Sequence, residues 1–207
     1  MKKTIYVYVL ETMADWELAY VMPAINQAAN YNLGEQRYQL KTVANTMEPI
    51  RTAGGLTVIP DCTVAEMEGE VAALILPGGD TWPEAQHLPI LTKAVQYVNQ
   101  EILVAAICGA TLGLANMGML DNRQHTSSSL KFLTGFSEKY QGRQFYQKEL
   151  AVTDQFVITA SPAGALAFAR DILTHLKVFP EPMLTPWFNY YQTGDEIYYF
   201  QLMALNN

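Results

Sequence analysis

The sequence predicts an α/β fold, a three-layer sandwich in which helices cover both faces of a mostly parallel sheet. Two continuous apolar runs, residues 71–76 and 102–107, suit strands that are buried on both faces. Segments with apolar residues at helical spacing alternate with these runs and with shorter strand-like segments. No repeat, low-complexity stretch or linker interrupts the pattern. The 207 residues, 50% of them hydrophobic, therefore predict one domain spanning 1–207.

The first half of the chain begins with a strand and then alternates helical and extended patterns. The predicted elements, in order, are a strand at 4–10, a helix at 15–31 with Asp15 as its N-cap, a strand at 37–44, a short strand and turn within 55–67, and the buried strand at 71–76.

The second half repeats the alternation and ends in an aromatic-rich segment. The predicted elements are a helix at 89–100, a strand at 101–108, a helix at 109–118, a strand leading into a helix within 123–136, a strand at 144–150, a strand at 155–161, and a helix at 161–178 with Ser161 as N-cap and Pro162 at its first position. Residues 180–207 are too apolar for a free tail, and we expect one or two helices packed on the body or on a dimer surface.

Composition excludes several classes of partner. The formal net charge is −7, and no cluster of Lys and Arg suits nucleic acid or an anionic membrane. No apolar stretch is long enough to span a membrane, and the N-terminal apolar run is too short for a signal peptide. The two cysteines, Cys62 and Cys108, form neither a disulfide framework nor a CxxC pair. We expect a cytoplasmic protein with a small-molecule or protein partner.

Three features fall near the carboxyl ends of predicted strands. Glu17 follows the first strand, and Gly78 and Gly79 follow the strand at 71–76. Cys108 comes at the end of the strand at 101–108. Ligands of open α/β sheets bind at this edge. The convergence predicts a site there.

Cys108 lies between a buried strand and a helix that begins with glycine. A tight turn there exposes the sulfur, and the helix dipole lowers the pKa of the thiol. Small neighbours leave room for a substrate, as around the serine of a G-x-S-x-G elbow. The alternative is that Cys108 is a small buried core residue. Cys62, by contrast, is expected to be structural.

Backbone donors and a carboxylate could assist this cysteine. The N–H groups of Gly79 and Gly109 could hold an oxyanion, although Pro-Gly-Gly alone also suits an ordinary turn. Glu17, if it reaches Cys108, could hydrogen bond to the thiolate or act as acid and base. Otherwise it is one of the solvated acids of that turn, with Glu11 and Asp15.

The histidines give a weaker signal. His87 could line the mouth of the site or be a solvated loop residue, and His125 could orient a neighbouring group. His175 is expected on the surface. No metal-binding, GxGxxG or Walker pattern occurs, so neither a metal nor a cofactor is expected.

Taken together, "ADWELA", "LILPGGD", "LVAAICGAT" and "DQFVITASPAGALAFARDIL" resemble the DJ-1/PfpI family, within the class I glutamine amidotransferase-like superfamily. The resemblance covers about residues 3–178. It implies a flavodoxin-like (Rossmann-like) sandwich with Cys108 on a nucleophile elbow, a contacting glutamate at Glu17, and oxyanion donors at Gly79 and Gly109. It also implies a homodimer.

The sequence departs from the family pattern in ways that narrow the activity. Peptidase-like members carry histidine directly after the cysteine, where this chain has Gly109. Other members have histidine near the position of Ser128, and no later His–Glu pair for glutamine amidotransfer is present. Peptidase and amidotransferase activity are therefore not expected. The further residues that could line the site are Gly78, Asp80, Trp82, His87, His125, Thr126 and Ser128.

Three functions are compatible with this pattern. The first is a cysteine hydrolase or lyase acting on a small carbonyl, acyl or nitrile-type substrate. The second is a non-catalytic redox sensor or chaperone-like stress protein in which Cys108 is oxidised. The third is an interaction module with an inactive site.

Overall fold

A mostly parallel sheet of seven strands forms the centre of the molecule, as the sequence predicts. The computed structural model describes residues 2–28 and 38–205. The strands are β1 (Lys3–Tyr8), β2 (Tyr38–Ala44), β3 (Ile50–Arg51), β4 (Thr57–Val58), β5 (Cys62–Thr63), β6 (Val71–Leu76), β7 (Leu103–Ile107), β8 (Ala151–Asp154) and β9 (Val157–Ala160).

Helices flank the sheet on both faces. They are α1 (Val21–Asn26), α2 (Leu88–Asn99), α3 (Ala110–Asn116), α4 (Leu130–Phe136), α5 (Ala165–His175), α6 (Glu181–Thr193) and α7 (Glu196–Leu205). Helix α1 packs against α5, while α2 and α3 pack against β7. This is the flavodoxin-like arrangement.

The strand order is β5-β2-β1-β6-β7-β9-β8, and only the β8–β9 pair within it is antiparallel. Every residue of β7 is buried, because neighbours pair along both edges and helices cover both faces. The short strands β3 and β4 form a separate antiparallel hairpin. The carboxyl ends of β1, β6 and β7 therefore meet at one edge of the sheet.

The helix predicted at 15–31 is broken in the structure. Asp15–Glu17 form a 3-10 turn, and α1 begins only at Val21. Asp15 is not an N-cap, because its Oδ2 accepts a hydrogen bond from the Gly54 N–H at 2.6 Å. The last residues of the predicted helix lie outside the described residues.

The strand predicted at 144–150 is wrong. Arg143–Phe145 form a 3-10 turn, and a single bridge joins His125 to Tyr146. The edge strand is instead β8, which turns back into β9 at Gln155, a residue with φ of +55°. A non-glycine residue in the left-handed region gives no turn signal in the sequence.

The helix predicted at 161–178 forms, but its first residues differ from the prediction. Pro162–Gly164 make a 3-10 turn before α5, and the Ser161 side chain makes no capping hydrogen bond.

The C-terminal segment forms two helices, α6 and α7. Met183 and Trp187 of α6 are buried against the body, whereas Leu202 is the buried residue of α7. None of the helices in the described part of the chain is long and apolar enough to cross a membrane.

Candidate active site

Cys108 lies on the turn between β7 and α3 with φ of +58°, in the left-handed region. Its N–H donates to the Ala160 carbonyl at 3.0 Å. Its carbonyl accepts from the Thr111 hydroxyl at 2.6 Å and from the Thr111 N–H at 3.2 Å. A non-glycine residue held in this region costs about 1–3 kcal/mol and is found where the surroundings enforce it. Nucleophile elbows have this strand–turn–helix geometry.

Glu17 is fully buried and lies at the carboxyl end of β1, as expected. Its Oε2 accepts the Gly78 N–H at 2.5 Å. A Cβ atom on Gly78 would lie 2.8 Å from Glu17 Oε2 and 2.9 Å from Cys108 Sγ. The Glu17 carboxyl and the Cys108 sulfur therefore both lie next to the Cα of Gly78, where a side chain would clash with them.

The pKa of Cys108 moves in the opposite direction from the sequence prediction. Burial, followed by the charge of Glu17 and its hydrogen bond to the thiol, raises the pKa of Cys108 to about 11. A hydrogen bond from the Gly109 N–H and one from the Ser128 hydroxyl lower this pKa by less. Desolvation and the neighbouring Glu17 thus outweigh the hydrogen bonds from Gly109 and Ser128.

Burial also raises the pKa of Glu17, against the hydrogen bonds from Gly78 and Cys108 that lower it. An acid and a thiol that are both harder to ionise favour keeping one proton between them. Burial therefore disfavours the Cys108 thiolate, and the buried group that contacts its sulfur is the Glu17 carboxyl.

Among the described residues, the Gly79 N–H in the loop after β6 is a backbone donor without an acceptor. The Gly78 N–H binds Glu17, and the Asp80 N–H binds the Thr12 hydroxyl at 2.8 Å. Within the described chain, the Gly79 N–H has no such partner. A Cβ on Gly109 would lie 2.7 Å from the Gly79 carbonyl oxygen, so the two glycines are in contact beside Cys108.

Trp82 lies behind this turn and is only 2% exposed. Its Nε1 donates to the Pro77 carbonyl at 2.9 Å. Its ring would lie 3.1 Å from a Cβ on Gly109 and 2.9 Å from one on Gly113. Trp82 therefore packs the loop after β6 against the first turns of α3, away from solvent.

His87 is buried behind Trp82, at 1% exposure, so it lies inside the fold and not at an open mouth. Its Nδ1 pairs with the Tyr8 hydroxyl at 2.8 Å and its Nε2 with the Thr81 hydroxyl at 3.0 Å. Burial lowers the pKa of this imidazole. Both ring nitrogens are thus occupied away from Cys108.

His125 is also fully buried, and both of its ring nitrogens have hydrogen-bond partners. Its Nε2 pairs with the Tyr140 hydroxyl at 2.6 Å and its Nδ1 with the Arg123 carbonyl at 2.8 Å. Next to it, Thr126 donates its N–H to the Thr159 hydroxyl at 2.8 Å. These hydrogen bonds of His125 and Thr126 fix the position of the segment before α4.

His175 is half-buried, not on the open surface as predicted, and its ring meets the edge of Phe156. Phe156 precedes β9, so this contact lies at the opposite end of the strand from Cys108.

The remaining candidates face solvent. Ser128 is exposed, and its hydroxyl lies 3.9 Å from Cys108 Sγ. Asp80 is exposed as well. Across residues 2–28 and 38–205, no three His, Cys, Asp or Glu side chains lie close enough together to hold a metal ion.

Two residues of this site were missed in the sequence. Thr12 has φ of +64° and ties the loop at Asp80 to the hairpin at Arg51, whose carbonyl accepts the Thr12 N–H at 2.9 Å. Thr111 fixes the carbonyl of Cys108. A threonine three residues after the nucleophile was the available signal for Thr111, and Thr12 gave none.

Comparisons with known proteins find relatives over nearly the whole chain. The DJ-1/PfpI family profile matches residues 3–175. A Bacillus subtilis (strain 168) relative named "Uncharacterized protease YoaZ" is 39% identical over 206 residues, covering 99% of this chain and 98% of the relative. The Caenorhabditis elegans protein named "Glutathione-independent glyoxalase DJR-1.2" is 22% identical over 143 residues, covering 67% of this chain and 74% of that protein.

Among solved structures, a thiJ/pfpI family protein from Bacillus anthracis superimposes with a TM-score of 0.93 at 40% identity. The match covers 100% of this chain and 99% of the other. The C-terminal helices are therefore included in the shared fold.

Proposed function

This chain belongs to the DJ-1/PfpI family, and we propose that it is a cysteine-dependent hydrolase or lyase of small electrophiles. In this proposal Cys108 attacks a carbonyl, acyl or nitrile-type carbon. The observation that carries it is the meeting of a positive-φ cysteine, a buried carboxyl and an unpartnered backbone N–H at one edge of the sheet.

The proposed attack begins with transfer of the Cys108 thiol proton to the Glu17 carboxylate. The sulfur forms a bond to the electrophilic carbon, and the π electron pair moves onto the oxygen or nitrogen of the substrate. The N–H groups of Gly79 and Gly109 stabilise that negative atom. Glu17 then returns the proton to this atom or to a leaving group. In the hydrolase case a water molecule attacks the same carbon and gives a proton to Glu17, the C–S bond breaks with its electron pair returning to sulfur, and Glu17 protonates the sulfur again. The raised pKa of Glu17 suits it to both roles.

A small electrophile suits this site better than a peptide. The B. subtilis relative is named as an uncharacterized protease. Here, however, the residue after Cys108 is Gly109, and a side chain there would require the Gly79 carbonyl to shift. His87 and His125 use their ring nitrogens elsewhere. The glyoxalase name of the C. elegans relative favours a carbonyl substrate.

Turnover of a substrate panel tests this proposal. A 2-oxoaldehyde, an activated ester, a nitrile and a short peptide are offered to wild type, Cys108→Ala and Cys62→Ala. We expect wild type and Cys62→Ala to convert one of the three small compounds and Cys108→Ala to show only the buffer rate. Conversion that survives Cys108→Ala, or conversion of the peptide alone, would contradict it.

Peroxide treatment distinguishes the redox-sensor alternative from the proposed enzyme. Oxidation to sulfenic acid starts from the thiolate, which the raised pKa of Cys108 disfavours. We therefore expect mass spectrometry after mild peroxide to find no selective sulfinic acid at Cys108. Selective oxidation together with no turnover would favour the sensor.

We further propose a cytoplasmic homodimer that pairs through α6 and α7. Both cysteines are free, which suits a reducing compartment. No Lys or Arg follows Lys177, so the C-terminal surface lacks the basic residues that anionic lipids attract. The exposed apolar side chains there are Tyr191, Ile197, Tyr199, Phe200, Met203 and Leu205. Light scattering should give the dimer mass for wild type and the monomer mass for Phe200→Glu; a wild-type monomer would contradict the pairing.

A further inference from the structure

Three consecutive serines beside Cys108 make three different contacts. The Ser127 hydroxyl is buried and pairs with the Thr111 hydroxyl at 2.7 Å. The Ser129 hydroxyl accepts the Phe132 N–H at 3.0 Å and begins α4. Ser128, between them, is exposed and has its hydroxyl 3.9 Å from Cys108 Sγ.

The neighbours of Ser128 fix its position on both sides. Ser127 is tied through Thr111 to the carbonyl of Cys108 itself. Ser129 is tied to the first turn of α4. The backbone between these two anchors is therefore held against the turn, and the Ser128 side chain faces the sulfur from the solvent side.

Cys108 thus has a different polar group on each side. The Glu17 carboxyl is on the buried side and the Ser128 hydroxyl on the exposed side. Once the Glu17 carboxylate has taken the thiol proton, its O–H can donate to the sulfur from the buried side only, so the exposed side of the sulfur needs a donor of its own. A hydroxyl can supply it, because its O–H donates a hydrogen bond.

We propose that Ser128 is a catalytic residue, whose hydroxyl donates a hydrogen bond to the Cys108 sulfur as negative charge develops there. This inference rests on the proposed function and names the group that stabilises its nucleophile. No covalent bond of Ser128 changes in the step, and its hydrogen bond to sulfur is released when the sulfur bonds to the substrate. The hydrogen bond from Ser128 also lowers the pKa of Cys108, which is the direction expected for a donor that stabilises the thiolate.

The pH profile of Cys108 alkylation tests the role of Ser128. Iodoacetamide, a neutral reagent, is used on the Cys62→Ala background so that only one thiol reacts. Ser128→Ala is compared with Ser128→Thr, which restores the hydroxyl. The matched control is Thr134→Ala, which removes an exposed hydroxyl from α4 that bonds only to α4 carbonyls.

We expect Ser128→Ala to move the midpoint of the profile to higher pH and to slow alkylation below it about three- to tenfold, since a donor to a charged atom is lost. Ser128→Thr should return toward the unsubstituted profile, and Thr134→Ala should match it. Because Ser128 is exposed, a folding defect is not expected, and circular dichroism checks this.

The two proposals fail in different ways. An unchanged midpoint in Ser128→Ala overturns the role of Ser128, whatever the absolute rate. Conversion of a small substrate that survives Cys108→Ala counts against the proposed function, while the midpoint shift still tests Ser128.

Discussion

The turn after β7 and the edge strand β5 each carry a half-buried free cysteine, yet their surroundings differ. Burial raises the pKa of both thiols. Cys62 lies in β5, paired with Val43, and its sulfur faces the Thr42 carbonyl at 3.9 Å. The positive charge of Lys41 lowers the pKa of Cys62, and the negative charges of three nearby carboxylates, Asp61, Glu66 and Glu68, each raise it by less.

Cys108 differs from Cys62 in its backbone conformation and in the groups that contact its sulfur. Its φ of +58° turns the sulfur toward the loop after β6, and the Gly109 N–H and Ser128 hydroxyl act on it. The buried Glu17 carboxyl also contacts this sulfur. Both cysteines are half-buried, so half-burial alone does not distinguish a candidate site. The distinguishing feature of Cys108 is the set of groups that its turn places next to the thiol.

The largest expected effect comes from closing the space that the Cys108 turn requires. In Gly109→Ala the new Cβ would lie 2.7 Å from the Gly79 carbonyl oxygen, a backbone atom that cannot move freely. The φ of Gly109 is −55°, which any residue adopts, so the effect comes from crowding. We expect a loss of about 1–3 kcal/mol in the free energy of unfolding, measured by denaturant titration.

Displacement of the turn in Gly109→Ala should also slow Cys108 alkylation roughly tenfold to hundredfold, because misplaced donors no longer meet the reacting atoms. Gly135→Ala is the matched control, since nothing lies within 4 Å of a Cβ there. That variant lies within α4 and should be as stable as wild type or slightly more so. Equal behaviour of the two variants would show that the Gly79–Gly109 contact is unimportant.

The next effect separates the two roles of Glu17. Glu17→Gln keeps an acceptor for the Gly78 N–H but removes the charge that raises the pKa of Cys108. Alkylation near pH 8 should therefore accelerate by about tenfold, the change that one unit of pKa makes. Turnover should fall by about 10²–10⁴-fold, because the proton acceptor is lost. Parallel changes in the two rates would contradict the proposed proton transfer.

The same substitution predicts a pH dependence of stability. The pKa of Glu17 is raised in the folded state, so its favourable contribution is present below the ordinary carboxyl pKa and is lost as pH rises through the folded pKa. Glu17→Gln should thus gain stability over wild type as pH rises through that range. Unfolding measured at several pH values checks this; a constant difference would mean that Glu17 ionises as freely as in the unfolded chain.

The smallest effect is expected at the other cysteine. Cys62→Ala removes a half-buried sulfur from an edge strand and should cost less than about 1 kcal/mol in the free energy of unfolding. Cys108 should keep its alkylation profile in this variant. A shift of that profile would show that β5 and the turn are coupled, and the contrast between the two thiols would no longer hold.

Local patterns predicted most of the fold. The apolar runs of β6 and β7 and the spacing of α2 and α5 are properties of neighbouring residues, and all four elements are confirmed. The errors fall at 15–31 and 144–150, where backbone hydrogen bonds and turns decide the structure. Gln155 is the clearest case, because its positive φ makes the β8–β9 turn without a glycine.

The sequence by itself determined the order of strands and helices and which turns would meet at one edge of the sheet. Hydrophobic periodicity is local, so a single chain displays it. It also indicated Cys108, Glu17, Gly79 and Gly109 as neighbours.

Only the tertiary structure decided the direction of the Cys108 pKa, the burial of His87 and His125, and the contact of Ser128 with the sulfur. Desolvation and hydrogen bonding depend on atoms contributed by segments far apart in the chain, and no local pattern records how those segments meet.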